Sequence, residues 1–297
     1  MKKNITCRTL LGSGNIDFSI ECLKSLLDNS YDNITLQIFE DGSLQDSDIK
    51  KIESSLQNST VITRKSREKK VLEQLADYPY CLQLREKNVF GFKLFDTMLY
   101  DDVDFFYLDT DIYFLQQFVL PDFGQSPVFM RDNINGYYFK KRQFLKIDAP
   151  VMPLVNAGFY YFPYKLYKLS SIENLLKKYY SSENMSHMWA EQTLWAFLGA
   201  EVKEAYYFSP QQVILAKHKL PLDNESIAVH LVSIARRNFG AVKSLSQKNN
   251  QPSGDFKKIE LEKINTTLSN TSYAFGWIKQ KITGLKRRLT KPGVTFN

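Results

Sequence analysis

The amino-acid sequence predicts an α/β fold, in which helices cover both faces of an open, mixed but mostly parallel sheet. Strand-like apolar runs and segments of helical spacing alternate over residues 7–65. This order is typical of parallel strands joined by right-handed crossovers. The run over residues 103–115 is nearly all apolar, as expected for a central strand covered on both faces.

The first half of the pattern begins with a short strand at 7–14 that ends in a glycine-rich turn. A helix at 18–29 follows, with Ile20, Leu23 and Leu27 at helical spacing. The next predicted elements are a strand at 33–43, a capped helix at 47–56 and a third strand at 59–65. Ligands bind beyond the carboxyl ends of the strands in such sheets, so the turns after these strands are candidate site positions.

The second half continues the alternation up to a polar segment. The predicted elements are an amphipathic helix at 90–100, the long strand at 103–115, strands within 121–133 and at 154–163, helices at 171–182 and 188–200, and strands at 203–210 and 225–233. The segment 246–255 is rich in polar residues and is predicted to be a linker. The sequence therefore predicts a main domain at 1–245 and a separate C-terminal tail at 256–297.

The tail has the pattern of a basic amphipathic helix. Ile278, Ile282, Leu285 and Leu289 fall on one helical face, and lysines and arginines fill the other faces. A helix of this kind suits an anionic membrane surface. Packing of the helix on the domain or on a partner protein is the alternative.

The charge distribution separates this tail from the rest of the chain. The formal net charge is +7, but residues 264–297 contain six basic residues and no acidic ones, which leaves about +1 for the remainder. A nearly neutral body excludes a general nucleic-acid-binding surface from the expected functions.

Cysteine content and hydropathy indicate the compartment. The three cysteines form no CxxC pair, which argues against a disulfide framework or a thiolate metal cluster. The N-terminus lacks the long apolar run of a secretion signal. No apolar run reaches the roughly 20 residues of a membrane span. We expect a cytoplasmic protein, peripheral on the cytoplasmic membrane face if the tail binds lipid.

Two aspartates interrupt the long apolar strand, and they are the strongest indication of chemistry. Asp109 and Asp111 follow several apolar positions, and a buried carboxylate is costly unless it is paired or bound to a metal. Side chains at i and i+2 of a strand point to the same side, so the two carboxylates are expected to converge. A divalent cation with oxygen ligands would satisfy both.

This setting of the D-T-D motif resembles the glycosyltransferases of the GT-A fold, and in particular their family 8, galactosyltransferase-like branch. The resemblance spans roughly residues 7–240 and implies a GT-A-like α/β/α sandwich. In that family the D-x-D holds a metal and the diphosphate of a nucleotide-sugar donor. The resemblance thus implies donor and metal contacts at Asp109, Thr110 and Asp111, with Mn²⁺ or Mg²⁺ as the cofactor.

Four further motifs extend the resemblance. "LLGSG" looks like the family's first strand, which places Gly12 and Ser13 near the nucleobase, and "FEDGS" makes Asp41 a candidate for uracil or ribose contact. Lys93 in "GFKLFD" stands where the branch has a Lys or Arg that contacts the donor or orients the D-x-D. "AVHLVS" is similar to a late strand that bears a metal-binding histidine, here His230.

The donor-sugar pocket is implied by two other segments. "VNAGFYYF" resembles the N-[AS]-G strand that lines this pocket, with Asn156, Ala157 and Gly158. "AEQTLWAFL" resembles a D-Q helix start, with Glu191 and Gln192. Asn156 would hydrogen-bond sugar hydroxyls.

The chain departs from the family after His230. The usual Gly and Lys-Pro-Trp are replaced by "HLVSIARRNFG", so Arg236 or Arg237 is the candidate phosphate-binding cation. "EDGS" is closer to the inverting family 2, and stereochemistry therefore stays open, with retention expected. If the reaction inverts, Glu191 is the candidate base; if it retains, Glu191 and Gln192 hold the sugar or stabilise an oxocarbenium-like state.

The resemblance predicts an enzyme that transfers a sugar from a UDP-sugar, with GDP-linked donors as the alternative, to a glycan or lipid-linked acceptor. A sugar nucleotidyltransferase is a second reading, but "GSGNIDFS" lacks the basic residue that such enzymes carry after the first strand. A non-catalytic module that binds nucleotide sugars or glycans is the third.

Overall fold

The computed structural model of the chain describes residues 2–139, 147–181, 184–216, 222–249 and 256–264. Within these residues an eight-stranded sheet has the order β13-β9-β7-β8-β4-β1-β2-β3. Its strands are β1 Asn4–Leu11, β2 Asn33–Glu40, β3 Ser59–Ile62, β4 Phe106–Leu108, β7 Val128–Arg131, β8 Val155–Tyr161, β9 Tyr206–Phe208 and β13 Leu261–Lys263. The pairs β4-β1-β2-β3 and β7-β9 are parallel, and β8 and β13 are antiparallel to their neighbours. The predicted mixed α/β sheet is confirmed.

Smaller sheets complete the strand set among the described residues. The shorter strands are β5 Ile112–Phe114, β6 Phe118–Val119, β10 Val213–Leu215, β11 Ala228–His230 and β12 Lys257–Lys258. β10, β11 and β5 form a three-stranded sheet, and β12 pairs with β6.

Helices and helical turns lie between the strands. They are α1 Ile16–Asn29, α2 Asp46–Ser55, α3 Arg64–Leu75, α4 Pro79–Lys87, α5 Val89–Gly91, a π-helical turn Phe92–Asp96, α6 Thr97–Leu99, α7 Leu169–Tyr179, α8 Ala190–Ala200, α9 Phe239–Asn249, and 3-10 turns at Tyr164–Leu166, Asn184–Ser186 and Ser233–Asn238. None of the helices in the described part of the chain is long and apolar enough to cross a membrane.

The central sheet is buried on both faces, which makes the layered sandwich. Tyr107 and Tyr160 pack into one apolar cluster with the α4, α7 and α8 helices, whereas their neighbours Phe106 and Phe159 pack into a second cluster with α1 and α2. Successive residues of a strand face opposite sides, so a strand covered on both faces is apolar throughout. This explains the unbroken hydrophobic run that the sequence shows before the D-T-D.

The predicted continuous strand at 103–115 is wrong in one respect. The chain turns at Thr110, where the Ile112 amide donates to the Asp109 carbonyl at 3.3 Å. β4 therefore stays in the central sheet, and β5 leaves it to pair with β11. The two aspartates therefore lie in the turn that joins the central sheet to the three-stranded sheet. A single strand that continued within the central sheet could not bring them to the edge of the second sheet.

Three other sequence expectations are corrected. The predicted strand at 59–65 ends at Ile62, because the Thr63 side chain caps α3 by accepting from the Ser66 amide. The helical segment predicted as amphipathic at 90–100 is buried nearly all round from Gly91 to Leu99. The predicted linker at 246–255 begins inside α9, which runs to Asn249.

The part of the predicted tail that is described adds to the sheets. β12 extends β6, and β13 pairs with β9 in antiparallel register at Leu261 and Phe208. The basic amphipathic helix predicted further along, with Ile278 and Leu289, lies outside the described residues.

Candidate functional site

A cleft of about 670 Å³ opens where β4 gives way to β5. The π-helical turn, β8, the start of α8, β11 and the 3-10 turn after it all contribute to its walls. Among the residues singled out from the sequence, those that line the cleft are Lys93, Asp109, Thr110, Asp111, Asn156, Ala157, Gly158, Glu191, Gln192, His230 and Arg236. Such a volume is typical of small-molecule sites.

Two aspartates and one histidine converge in this cleft. The His230 Nε2 atom lies 2.9 Å from Asp111 Oδ1 and 3.8 Å from Asp109 Oδ2. Backbone pairing fixes the three residues: His230 is opposite Ile112 in the β11-β5 ladder, and the Leu231 amide donates to the Asp111 carbonyl at 2.8 Å. The predicted convergence of Asp109, Asp111 and His230 is therefore observed.

The glycine of the N-A-G segment makes room for this histidine. A Cβ atom on Gly158 would lie 2.3 Å from His230 Cε1 and 2.6 Å from His230 Nδ1. The Gly158 carbonyl also accepts from the Asp109 amide at 2.7 Å. Gly158 thus joins β8 to the D-T-D turn and admits the imidazole beside it.

This donor set fits a divalent cation. One ligand atom each from Asp109, Asp111 and His230 lie within 4.8 Å of one another. Carboxylate oxygens with one imidazole nitrogen suit Mn²⁺ and Mg²⁺ better than a thiolate-seeking metal. His230 Nδ1 is buried without a hydrogen-bonding partner among the described residues.

The electrostatics of the cluster follow from close opposite charges. Burial would raise the pKa of the Asp111 carboxyl, but the charge and hydrogen bonds of His230 and Arg236 outweigh burial and lower that pKa to about 2. Burial alone would lower the pKa of His230, whereas Asp111 and Asp109 raise it above the ordinary value. Asp111 is therefore an anion at neutral pH.

Lys93 lies at the other side of the D-T-D. Its Nζ donates to Asp109 Oδ1 at 3.0 Å and lies 3.8 Å from Glu191 Oε1. The ammonium also faces the Tyr107 ring, 4.5 Å from the ring centroid. Its side chain is only 3% exposed, so the lysine is a fixed cation of the cleft and not a solvated helix residue.

Arg236 is the cation of the opposite wall. Its Nη2 and Nε atoms donate to Asp111 Oδ2 at 2.8 Å and 3.2 Å. Its neighbour Arg237 is exposed and is not among the residues that line the cleft. The structure thus separates two arginines that the sequence leaves equivalent, because the 3-10 turn points only one of them inward.

Glu191 and Gln192 begin α8, as predicted. Glu191 is 3% exposed, and burial raises the pKa of its carboxyl to about 7, although Lys93 lowers it and Asp109 adds to the rise. Gln192 is held at both ends of its amide: Nε2 donates to the Gly136 carbonyl at 2.8 Å, and Oε1 accepts from the Ala157 amide at 3.3 Å.

Asn156 lies on β8 and faces a residue that the sequence reasoning missed. Its Oδ1 atom accepts from the Gly158 amide at 2.9 Å, and its Nδ2 atom donates to Asp132 Oδ2 at 3.3 Å. Asp132 follows β7 and lines the cleft. An acidic residue directly after a strand is the signal that could have identified it, as it did for Asp41.

The residues at the mouth of the cleft were not predicted from the sequence either. Five of its side chains are large, apolar and between 38% and 64% exposed: Ile134, Met188, Trp189, Val232 and Ile234. Sequence patterns assign apolar residues to the core, so exposed ones cannot be recognised from the sequence alone.

Gly12, Ser13 and Asp41 form a neighbouring turn pair outside the residues that line the cleft. The Ser13 amide donates to Ser43 Oγ at 2.8 Å, and the Ser43 amide donates to Asp41 Oδ1 at 2.9 Å. A Cβ on Gly12 would lie 2.4 Å from Asp41 Oδ2. The turns after β1 and β2 are therefore packed together, beside Leu10, which does line the cleft.

Comparisons with known proteins agree with the fold. No protein-family model matches the chain, and no curated protein matches it. Among solved structures, it is similar to the galactosyltransferase LgtC in complex with donor and acceptor sugar analogs, at 13% identity and a TM-score of 0.53, covering 84% of this chain and 98% of LgtC. An active-site glutamine-to-glutamate mutant of LgtC gives 13% identity, the same coverage and a TM-score of 0.52. The predicted GT-A-like fold is confirmed.

Proposed function

We propose that this chain is a metal-dependent, retaining glycosyltransferase that moves a sugar from a UDP-sugar to a glycan or lipid-linked acceptor. The observation that carries the proposal is the convergence of Asp109, Asp111 and His230 in one cleft, flanked by Lys93 and Arg236. The likeness to LgtC, a galactosyltransferase bound to donor and acceptor sugar analogs, supports it at the level of the fold.

The arrangement suits departure of a nucleotide diphosphate. Sugar transfer leaves two negatively charged phosphates as the bond to C1 breaks, and a Mn²⁺ or Mg²⁺ ion held by Asp109, Asp111 and His230 would supply Lewis-acid neutralisation. Lys93 and Arg236 add fixed positive charge on either side of this position. Preorganised charge in a water-poor cleft stabilises developing anions strongly, because it needs no reorganisation during the reaction.

We favour retention because of the position of Glu191. A base for an inverting reaction must reach the acceptor hydroxyl. Glu191 lines the cleft, but it is only 3% exposed, and its Oε1 atom lies 3.8 Å from the Lys93 ammonium. We assign to Glu191 the role of holding Lys93 in place. Gln192 would lie at the face of the sugar ring and stabilise the positive charge that develops at C1. The clamped amide of Gln192 keeps this orientation without a bound sugar.

The remaining residues are assigned to recognition of the donor. Asn156 and Asp132 would bind sugar hydroxyls, with Ala157 and Gly158 as the adjacent wall and Thr110 at the diphosphate. Gly12, Ser13 and Asp41 would hold the uridine at the paired turns. The basic segment that follows β13, within the predicted tail at 256–297, would place the enzyme at an anionic membrane face on the cytoplasmic side.

Binding measurements with purified protein test the proposal. UDP-sugars and GDP-sugars are titrated with and without Mn²⁺ into the wild-type chain, Asp111→Ala, and Asp77→Ala as a control at an exposed aspartate. We expect metal-dependent binding that prefers UDP-sugars and is lost only in Asp111→Ala. Metal-independent binding, or full binding by Asp111→Ala, would contradict the metal site.

Slow hydrolysis of the donor in the same samples separates an enzyme from a binding module. We expect free sugar to accumulate with wild-type protein and not with Asp111→Ala. Formation of pyrophosphate from a nucleoside triphosphate and a sugar phosphate would instead identify a nucleotidyltransferase.

A further inference from the structure

Arg236 forms an ion pair with Asp111, a carboxylate that the proposed metal ion would also need as a ligand. Both oxygens of Asp111 have a partner: Oδ1 accepts from His230 Nε2 at 2.9 Å, and Oδ2 accepts from Arg236 Nη2 at 2.8 Å. Asp111 itself is 9% exposed at its side chain. Arg236 thus neutralises a nearly buried anion at the centre of the proposed metal site.

A metal and Arg236 compete for Asp111 in this geometry. A divalent cation between Asp109, Asp111 and His230 would lie within a few ångströms of the guanidinium, where like charges repel. Lys93 makes a similar contact to Asp109, but its side chain is 3% exposed and held against Tyr107. Arg236 is 51% exposed on a 3-10 turn, so Arg236 is the cation that can move away.

A diphosphate offers Arg236 a second partner. The planar guanidinium matches phosphate oxygens in a two-pronged contact, and the diphosphate would lie on the metal, next to Asp111. Arg236 lines the cleft and is half exposed, so its side chain is not locked into the pair with Asp111.

We propose that Arg236 exchanges partners: it holds Asp111 in the free protein and passes to the donor diphosphate when metal and nucleotide bind together. This inference rests on the proposed function. It assigns Arg236 two opposite effects, since the residue opposes binding of the metal alone and favours binding of the metal with a nucleoside diphosphate. Uptake of the metal is thereby coupled to uptake of the donor.

Mn²⁺ and UDP titrations of the full chain test the exchange. Free Mn²⁺ is followed by its electron paramagnetic resonance signal, first without nucleotide, and UDP binding is then measured at saturating Mn²⁺. In Arg236→Ala we expect the Kd for Mn²⁺ alone to fall by about threefold, since an ion pair whose guanidinium is half exposed is weak. The Kd for UDP should rise by about tenfold, since a charged phosphate contact is lost.

Arg237→Ala is the matched control, because it removes the same charge one residue away from an exposed position outside the cleft. We expect Arg237→Ala to change both constants by less than about a factor of two, as screened surface charge does. Opposite signs in Arg236→Ala support the exchange. Weaker binding of both ligands would make Arg236 a mere support of Asp111, and unchanged constants would make it a surface residue; either result overturns the proposal.

Failure of the exchange is distinguishable from failure of the proposed function. If the wild-type chain binds neither UDP nor GDP in the presence of Mn²⁺, the proposed function fails and the exchange fails with it. If the wild-type chain binds them and Arg236→Ala lacks the opposite signs, only the exchange is overturned.

Discussion

At the scale of single residues, Gly158 decides whether His230 can sit beside the aspartates. Gly158→Ala would place a methyl group 2.3 Å from His230 Cε1 and 2.9 Å from Asn156 Oδ1. We expect the imidazole to be displaced and Mn²⁺ affinity to fall by at least about tenfold, roughly the loss of one well-oriented ligand. Mn²⁺ titration measures this, with circular dichroism to verify the fold.

The control for this variant is Gly240→Ala. A Cβ on Gly240 meets no atom within 4 Å, and alanine favours the helix in which it lies. Unchanged Mn²⁺ affinity in Gly158→Ala would show that His230 does not depend on this close approach.

Glu191 gives a residue-scale prediction about pH. Burial raises the pKa of this carboxyl from 4.5 to about 7 in the folded chain, so the native state holds a proton that the unfolded state has lost. The stability that this proton provides is complete below pH 4.5 and is lost as pH rises through about 7. Glu191→Gln removes that dependence.

Urea unfolding of wild-type protein and Glu191→Gln at pH 5 and pH 8 measures the effect. We expect the wild-type free energy of unfolding, relative to the variant, to fall by on the order of 2 kcal/mol between these values. A constant difference between the two proteins would contradict a raised pKa for Glu191.

Residue types at strand ends were predictable from the sequence, and side-chain direction was not. Asp109, Asp111, Asn156 and His230 interrupt apolar strands, and burial without a partner is too costly to be accidental. Arg236 and Arg237 carry no such signal. Which of them faces the cleft depends on the 3-10 turn Ser233–Asn238, and that turn is set by tertiary packing.

At the scale of elements, the π-helical turn Phe92–Asp96 is what presents Lys93 to Asp109. Turns of this kind are rare in proteins overall, but those that occur frequently lie at functional sites. Its last residue, Asp96, is fully buried and accepts from Arg67 Nε at 2.6 Å and from Arg85 Nε at 2.7 Å. Arg67 also donates to the Glu40 carbonyl at 2.7 Å, so the same anchor joins the lysine-bearing turn to the end of β2.

Asp96→Ala tests this anchor. The variant leaves two buried guanidinium groups without their shared carboxylate, and we expect a loss of about 3–5 kcal/mol in the free energy of unfolding. Denaturant titration measures the loss. Glu68→Ala is the comparison, because Glu68 also bonds Arg85 but its side chain is 31% exposed; we expect about 1 kcal/mol or less there.

The strand that carries the D-T-D shows the limit of sequence reasoning about elements. An apolar run across residues 103–115 is the same whether one strand continues or two strands meet at a turn, so hydrophobicity could not reveal the break. Helices α3 and α4 were not predicted either. α3 is strongly charged and buries only Arg67, Val71 and Leu75, which leaves a weak apolar pattern.

At the scale of the whole molecule, the part of the tail that follows β13 is predicted to act independently of the folded body. Truncation before Ser272 keeps β13, which ends at Lys263 and pairs with β9. We expect the truncated chain to retain the thermal midpoint and donor hydrolysis of the full chain and to lose sedimentation with anionic vesicles. Vesicles of neutral phosphatidylcholine are the control, and unchanged sedimentation with anionic vesicles would refute a membrane role.

The break between β4 and β5 has a consequence for how the chain matures. Asp111 pairs with Arg236 across a sequence separation of 125 residues. β11, which pairs with β5 directly after Asp111, also comes late in the chain. Closing so long a loop is entropically slow, and domains emerge from the ribosome in N-terminal order. A nascent chain that already exposes both aspartates thus lacks His230 until most of the domain has been synthesised. If the chain binds a metal through all three side chains, we expect the ion to be captured late in folding, once His230 has joined the two aspartates.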